Sequence, residues 1–211
     1  MTRLPLFPLP ETVVFPGLLI PLLIFEERYK QMTKDLLALP ERERRFVITL
    51  AGPEPGQMRS IGGIVEVMAV SENPDGTFTM LTRGTERCRV EDIDSSQHPY
   101  LSVPEKLYPL ERGDLAAERI AAWDTMEAFR AFSQGRMDPK ALEQAIHNLP
   151  DDPLYHASFL CVNLGADAPS RQYLLEAPSL LERFARVQRF IQQFQQPGVR
   201  FQLSSARLGL R

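Results

Sequence analysis

The sequence predicts an α+β protein in which a β-rich first part is followed by a set of helices. Up to about residue 104, short apolar runs alternate with a period of two and are bounded by Pro, Gly, Asn and Asp, which is typical of strands. From about residue 114 onward, apolar residues recur every three to four positions, which is typical of amphipathic helices. We therefore expect a β unit over residues 1–110, helices over 111–196 and a basic tail over 197–211.

The first part contains recognisable strands and one hairpin. Residues 46–50 and 61–70 are strand-like, and Asn73-Pro74-Asp75-Gly76 has the composition of a tight turn, since Pro fixes φ early and Gly supplies a positive φ later. In the following strand, the alternation predicts that Cys88 faces inward and Arg87 faces outward. One helix interrupts the strands over residues 26–39, where apolar residues recur at spacings of three and four and Pro40 follows.

The second part contains helix starts that can be read directly. Asp138-Pro139 and Asp152-Pro153 each place a side-chain acceptor before a proline at the first helical position. A longer helix is predicted from Asp114, with Ile120 and Trp123 on its buried side together with Met126 and Phe129. Another runs from Pro178 through Phe194. Successive amphipathic helices with short connections predict a small antiparallel bundle.

Composition favours a packed soluble protein and gives little sign of a membrane or nucleic-acid partner. The chain has 211 residues, of which 44% are hydrophobic and 24% charged, and its net charge is −3. The most apolar stretch, residues 12–25, is shorter than a membrane span and is interrupted by Pro16 and Pro21. The N-terminus is a poor signal peptide because prolines break its apolar run. With two distant cysteines, Cys88 and Cys161, these features indicate the cytoplasm.

The sequence lacks the common signatures of catalysis. No glycine is followed by lysine, so a Walker-type ATPase is excluded, and the patterns GxSxG, HExxH, CxxC and GxGxxG are missing. The histidines, His98, His147 and His156, show no metal-ligand spacing, so surface or capping roles are favoured. We expect no enzyme activity, no catalytic residue, no metal and no cofactor. An unrecognised enzyme would need a pocket of convergent polar groups.

Several segments in a fixed order resemble one known family. They are residues 4–9, 13–17, 20–22, 24–29, 46–48, 61–67, 75–76, 84–87, 99–101, 149–152, 172–176 and 181–183, so the resemblance extends over roughly residues 3–195. Their order and spacing resemble the N-terminal domain of Lon protease. The resemblance implies a PUA-like β pseudo-barrel with one interrupting helix, followed by an antiparallel helical bundle, and cereblon has a related module. In full-length Lon this region recognises unfolded or tagged substrates, while separate downstream domains hydrolyse ATP and cleave peptide bonds.

The first functional hypothesis is a non-catalytic module that binds unfolded or specific polypeptides, as a proteolysis or quality-control adaptor. Its candidate residues are Phe15, Phe25, Glu26, Arg28, Tyr29 and Arg87. Most of the aromatics are expected to serve the core first. The alternative use is a groove in which an extended peptide adds to an exposed strand edge and is held by main-chain hydrogen bonds. The sequence identifies neither the partner nor the oligomeric state.

The second hypothesis is an RNA-binding PUA-like protein that uses the basic C-terminal helix and tail. Residues 183–211 contain six arginines and no acid, and Arg183, Arg186 and Arg189 follow one another at a spacing of three. Such a row could contact a phosphate backbone, and its affinity would fall steeply with salt. Cations near a helix C-terminus also complement the helix dipole. The sequence therefore favours polypeptide over RNA as the partner.

Overall fold

A computed structural model describes residues 2–194 of the chain. The chain divides into two compact units, with the boundary between Pro109 and Leu110. The first unit holds the strands and the second the helix bundle, as the change in hydrophobic period predicts. The basic tail predicted over residues 197–211 lies outside the described residues.

The first unit contains six strands and one α-helix. They are β1 (Arg3–Leu9), β2 (Leu19–Ile24), α1 (Glu27–Leu37), β3 (Arg45–Leu50), β4 (Ile61–Glu72), β5 (Phe78–Arg89) and β6 (Leu101–Pro104), with a 3₁₀ turn at Glu41–Glu43. The sheet order is β2-β5-β4-β3-β1-β6, and only β1 and β3 pair in parallel. The hairpin at residues 73–76 and the interrupting helix are confirmed, and Gly76 has the positive φ of 76° that the turn requires.

The segment after β6 closes this sheet into a pseudo-barrel. It returns along the end of β5, where Arg89 N donates to Lys106 O and Tyr108 N donates to Arg87 O, both at 2.9 Å. A ring is thus formed by β5, β4, β3, β1 and β6 with its extension. Strand β2 pairs with β5 outside this ring. The interior is filled by a cluster of buried side chains: Leu4, Leu6, Val47, Ile64, Cys88, Val90 and Val103.

A close crossing explains two glycines in the paired strands β4 and β5. Phe15-Pro16-Gly17-Leu18 forms a turn closed by Leu18 N donating to Phe15 O at 3.1 Å, and Gly17 has a φ of 81°. This turn is tied to β5, since Gly84 N donates to Leu18 O at 2.8 Å. A Cβ on Gly84 would lie 2.3 Å from Phe15 O, and one on Gly63 would lie 2.5 Å from the Cβ of Val14. The segment before β2 therefore crosses the sheet at Gly63 and Gly84, which have no side chains to block it.

Up to residue 194, the second unit is a bundle of five α-helices. They are α2 (Leu115–Ser133), α3 (Pro139–His147), α4 (Pro153–Asn163), α5 (Ala168–Leu175) and α6 (Leu180–Phe194). The predicted caps are confirmed, since Asp138 accepts from Lys140 N at 3.1 Å and Asp152 accepts from Leu154 N at 2.9 Å. Asp114 and Asp167 cap α2 and α5 in the same way. Side-chain contacts join α2 to α3, where Arg130 donates to Glu143 at 2.8 Å, and α5 to α6, where Arg186 donates to Tyr173 O at 2.5 Å.

The buried side of α2 differs from the prediction. Ile120 and Trp123 are 63% and 67% exposed, whereas Met126 and Phe129 are buried as expected. The stripe that packs inside the bundle instead includes Ala122 and Thr125, whose hydroxyl accepts from Gln188 of α6 at 2.9 Å. α2 is apolar on most of its circumference, so the spacing alone does not decide which stripe is covered.

Candidate functional site

The outer face of β2 carries an exposed apolar surface on the first unit. We define the β2 patch as Leu19, Pro21 and Leu23 on this face, together with Phe25, which follows the strand directly. Leu23 is 60% exposed and Phe25 is 64% exposed, while Ile20 and Ile24 of the same strand are buried. This alternation is that of a strand with one face on the core and one face in solvent. Aliphatic and aromatic side chains thus stand in a row where solvent-facing polar residues are usual.

The backbone of β2 has a free edge beside this patch. β2 pairs antiparallel with β5, and the bond from Gly84 N to Leu18 O sets which positions exchange hydrogen bonds with β5. Because such positions alternate, Ile20, Leu22 and Ile24 face β5, and Leu19, Pro21 and Leu23 face away from it. No backbone partner for those three outward positions occurs within residues 2–194. Pro21, which has no N–H, occupies a position where an N–H would have no partner.

Ion pairs flank the β2 patch at both ends. Beyond Phe25, Arg28 Nη2 lies 2.7 Å from Glu26 Oε2, and the Arg28 guanidinium stacks 4.6 Å from the ring centroid of Tyr29. At the other end, Leu19 is opposite Arg83 in the sheet, and Arg83 Nε donates to Glu66 at 2.6 Å. The charges at both ends are paired internally, so the patch between them is apolar and electrically neutral.

Three of the predicted peptide-binding residues lie in the core and do not face solvent. Phe15 is completely buried, and Tyr29 packs on Phe7 with ring centroids 4.1 Å apart, where burial raises the pKa of its hydroxyl. Arg87 is 3% exposed, against the expectation that it faces outward. It donates to the carbonyls of Tyr108 and Pro109 at 3.1 Å each, and burial lowers its pKa to about 10. The structure therefore corrects the exposed placement of Arg87, because the barrel-closing segment covers it.

The arginines of the RNA hypothesis are also engaged within their own unit. Arg183 is 0% exposed and donates to Leu174 O and Leu175 O at 3.2 Å each, so its guanidinium is out of reach of a phosphate. Arg186 stacks on the Tyr173 ring at 4.0 Å and, like Arg189, pairs with Glu182. These bonds hold the pKa of the Glu182 carboxyl below its usual range. Within the predicted basic row, Arg183 is therefore wrongly placed on a binding surface, while Arg186 and Arg189 are paired with Glu182.

Each unit also has a concave surface. A groove of about 270 Å³ in the second unit is lined by Trp123, Met126, Ile146, Pro153 and His156 among others. A cavity of about 520 Å³ in the first unit lies beside α1, where the Tyr100 hydroxyl donates to Asp35 at 2.7 Å and the His98 ring stacks on Tyr100. Arg45 pairs with Glu105 in the first-unit cavity, and Arg119 pairs with Asp151 in the second-unit groove.

Neither a cluster of metal-ligand side chains nor a membrane-spanning helix occurs over residues 2–194. Over residues 2–194, no group of three or more His, Cys, Asp or Glu side chains is arranged to hold a metal ion. None of the described helices combines the length and the apolar character that crossing a bilayer requires. Neither thiol is exposed, since Cys88 and Cys161 are both free and buried.

Sequence reasoning named Phe25, Glu26 and Arg28 at one end of the β2 patch but missed Leu19, Pro21 and Leu23. The sequence does contain a signal for this surface, namely Pro21. A proline within an apolar run indicates a strand at the edge of its sheet. An apolar residue next to such a proline on the solvent face is then a candidate for contact with a partner.

Sequence comparisons find Lon proteases that are similar to this chain. Lon protease 1 of Myxococcus xanthus is 25% identical over 198 residues, a match that covers 89% of this chain and 24% of that protein. Lon protease 2 of Desulfotalea psychrophila is 26% identical over 191 residues, covering 85% of this chain and 24% of the relative. The chain therefore spans about a quarter of the length of these relatives.

Solved structures share the fold over nearly the whole chain. The N-terminal domain of Mycobacterium avium complex Lon protease superposes with a TM-score of 0.71 at 18% identity, covering 92% of this chain and 100% of that one. A Lon N-terminal domain protein from Xanthomonas campestris gives 0.64 at 22% identity, covering 89% and 97%. The family model for the ATP-dependent protease La (LON) substrate-binding domain matches residues 3–193. The chain therefore belongs to the LON substrate-binding domain family.

Proposed function

We propose that this protein recognises unfolded polypeptide segments without cleaving them, as a module that works with separate proteolytic or quality-control machinery. The family match to a substrate-binding domain supports a polypeptide as the partner. The observation that carries the proposal is the β2 patch, whose Leu23 and Phe25 are the two most exposed large hydrophobic residues described in the first unit. Large exposed apolar residues grouped together mark contact surfaces more often than isolated ones do.

The chemistry of the patch matches what distinguishes an unfolded chain from a folded protein. Unfolded segments expose apolar side chains, and each Å² of apolar surface removed from water contributes about 25 cal/mol. A patch of a few side chains yields modest affinity, because association costs several kcal/mol in lost freedom. Weak, sequence-tolerant binding is the behaviour required of a recognition module with many substrates. The neutral ion pairs at both ends of the patch add no preference for a charged partner.

The thiols support a non-catalytic role. Burial raises the pKa of Cys161 to about 12 and raises that of Cys88, so both remain protonated and shielded at neutral pH. A nucleophilic cysteine requires the opposite environment, exposed and electropositive. Cysteines that are both free and buried also fit the cytoplasm, which is the compartment we propose.

The test measures binding of a fluorescently labelled, permanently unfolded protein by anisotropy. We expect saturable binding by the full chain and a loss of at least about fivefold, roughly 1 kcal/mol, in the double variant Leu23→Ser/Phe25→Ser. The matched control is Ile93→Ser/Leu107→Ser, which removes exposed apolar side chains elsewhere in the same unit and should bind as the parent does. Equal binding by the patch variant, or equal binding of a native protein probe, would refute the proposal.

Within the described residues, no specific observation favours RNA binding. Arg183 is buried, and Arg186 and Arg189 share Glu182 as their partner. Filter binding to mixed RNA at low and moderate salt gives a direct check, and we expect no salt-dependent retention. The identity of the natural partner is best obtained by affinity capture from the native cell, followed by mass spectrometry of the bound proteins.

A further inference from the structure

We propose that β2 captures its polypeptide by strand addition, so that the bound segment becomes an extra strand at the free edge of the sheet. This inference rests on the proposed function and specifies how the β2 patch is used. It is carried by the outward main-chain groups of Leu19, Pro21 and Leu23, which have no partner within residues 2–194 and lie directly beside the exposed apolar side chains.

The hydrogen-bond pattern of the added strand follows from the register of β2. Leu19 and Leu23 each offer an N–H and a C=O to a strand on the open side, and Pro21 offers only a C=O. A bound antiparallel segment would exchange both bonds with Leu19 and with Leu23 and donate one N–H to Pro21 O. These bonds involve only the main chain of the partner, so they tolerate many sequences.

The other sheet edges in the described residues are less suited to this role. The part of β4 that extends past β3 forms one such edge. It has a register irregularity between Val67 and Ala69, and Val67 N already donates to Arg44 O at 2.9 Å. That edge also carries Glu72 next to the hairpin turn. The outer side of β6 is occupied, because Asp94 and Ser102 exchange backbone bonds at 2.9 Å. Bulges, charges and covering segments are the usual means by which sheets block such pairing.

The same register defines the class of polypeptide that fits. Residues directly opposite each other in paired strands point to the same face of the sheet. The partner residues opposite Leu19, Pro21 and Leu23 would therefore extend the apolar surface of the β2 patch. We infer that the preferred segment is extended, about five residues long, apolar at alternate positions and free of proline where its N–H faces β2.

The test uses a short peptide of alternating Val and Thr, capped at both ends, and two isomers with backbone N-methyl groups. One isomer is methylated on the Val residues and the other on the Thr residues. Because apolar Val side chains favour the face of the β2 patch, the Val N–H groups point at β2. We expect methylation at Val to reduce binding at least tenfold, because it removes the N–H groups that donate to β2, and methylation at Thr to leave it within about twofold of the parent.

A protein variant provides the converse test. Pro21→Val keeps an apolar side chain and adds the missing N–H at the free edge, and Val is well suited to strands. We expect the parent peptide to bind about threefold to tenfold more tightly, as one added hydrogen bond predicts. Leu22→Val is the matched control, because that residue faces β5 and its main chain is already used.

The outcomes separate the two proposals. If neither the parent peptide nor the unfolded protein binds, the proposed function fails. If both bind but the two methylated isomers behave alike, or Pro21→Val binds no more tightly, strand addition is wrong while the function stands. If analytical ultracentrifugation shows the free protein to be a dimer that Pro21→Val strengthens and that the peptide does not dissociate, a second copy occupies the edge and strand addition of a substrate is again wrong.

Discussion

Arg112 and Glu118 form an ion pair at the start of α2 in which the carboxylate is almost completely buried. Glu118 is 1% exposed, and Arg112 approaches its Oε2 at 2.7 Å through Nη2 and at 2.9 Å through Nε. Gly113 N donates to the other carboxylate oxygen at 2.7 Å, and Arg112 Nη2 also reaches Asp152 at 3.0 Å. These bonds raise the pKa of Arg112 and fix the segment that leads into α2 against the cap of α4.

The first prediction is that Arg112→Met lowers the free energy of unfolding by about 3 kcal/mol, because it leaves the buried Glu118 carboxylate without its cation. The double variant Arg112→Met/Glu118→Leu should recover most of this loss, since a hydrophobic pair can replace a buried ion pair. Arg119→Met is the control, because its pair with Asp151 is exposed. Urea unfolding followed by circular dichroism measures all three. A loss below about 1 kcal/mol in the single variant would contradict the role assigned to Arg112.

The second prediction concerns the crossing of residues 15–18 over β5. Gly84→Ala would place a methyl group 2.3 Å from Phe15 O, so the turn or the strand must shift, and we expect a loss of at least about 2 kcal/mol. Gly113→Ala is the matched control, since its added Cβ would meet the Leu181 side chain at an ordinary 3.4 Å. Thermal unfolding compares the two variants. Equal melting temperatures would show that the crossing is not tight.

The third prediction separates structural arginines from surface ones on α6. Arg183→Met removes the buried donors to the last carbonyls of α5 and should cost about 3 kcal/mol. Arg183→Lys should recover little, because an ammonium lacks the planar fork that reaches both carbonyls. Arg189→Met removes an exposed pair with Glu182 and should change stability by less than about 1 kcal/mol. Chemical unfolding of the three variants is the measurement, and equal costs for Arg183→Met and Arg189→Met would be inconsistent with this assignment.

The fourth prediction is a pH dependence that arises from His156. Burial lowers its pKa in the folded protein, although Asp151 and Asp152 act in the opposite direction. The unfolded chain therefore binds a proton at His156 more readily than the folded chain does. The stability contributed by neutral His156 is present above its unfolded pKa of about 6.5 and is lost as the pH falls through its lower, folded pKa. His156→Gln should flatten the loss between about pH 7 and pH 5, by at most about 1.4 kcal/mol per pH unit. Urea titrations at both pH values test this, with His147→Gln as an exposed control. Parallel pH profiles for His156→Gln and the parent would exclude the effect.

The local features of the fold could be predicted from the sequence, and its long-range contacts could not. Asp138 and Asp152 were correctly read as helix caps, and the turn at residues 73–76 was correctly placed, because these depend on neighbouring residues alone. Arg87 was misplaced because its cover comes from a segment some twenty residues away. Arg183 has the composition of a surface residue, yet it satisfies the carbonyls of another helix.

The candidate site was recovered only in part, for a related reason. Phe25 was selected as an aromatic near a strand end, and it is exposed as a contact residue must be. Phe15 and Tyr29 belong to the same class of residue but are buried, and no local pattern separates them from Phe25. Trp123 was expected inside the bundle but faces solvent. Because α2 is apolar on most sides, its sequence pattern does not show which side is buried. Sheet order, which makes β2 an edge, is set by pairings across the whole unit.

The pairing of the first strand with the last gives the barrel a particular order of assembly during synthesis. Arg3 is opposite Pro104, so β1 leaves the ribosome about a hundred residues before β6 is synthesised. Contacts between such distant parts of a chain form slowly, because the intervening loop must first be closed. The ring cannot be completed until Tyr108 has emerged and met Arg87. A ribosome stalled before that residue would therefore display an open sheet, which protease should digest more readily than the finished barrel.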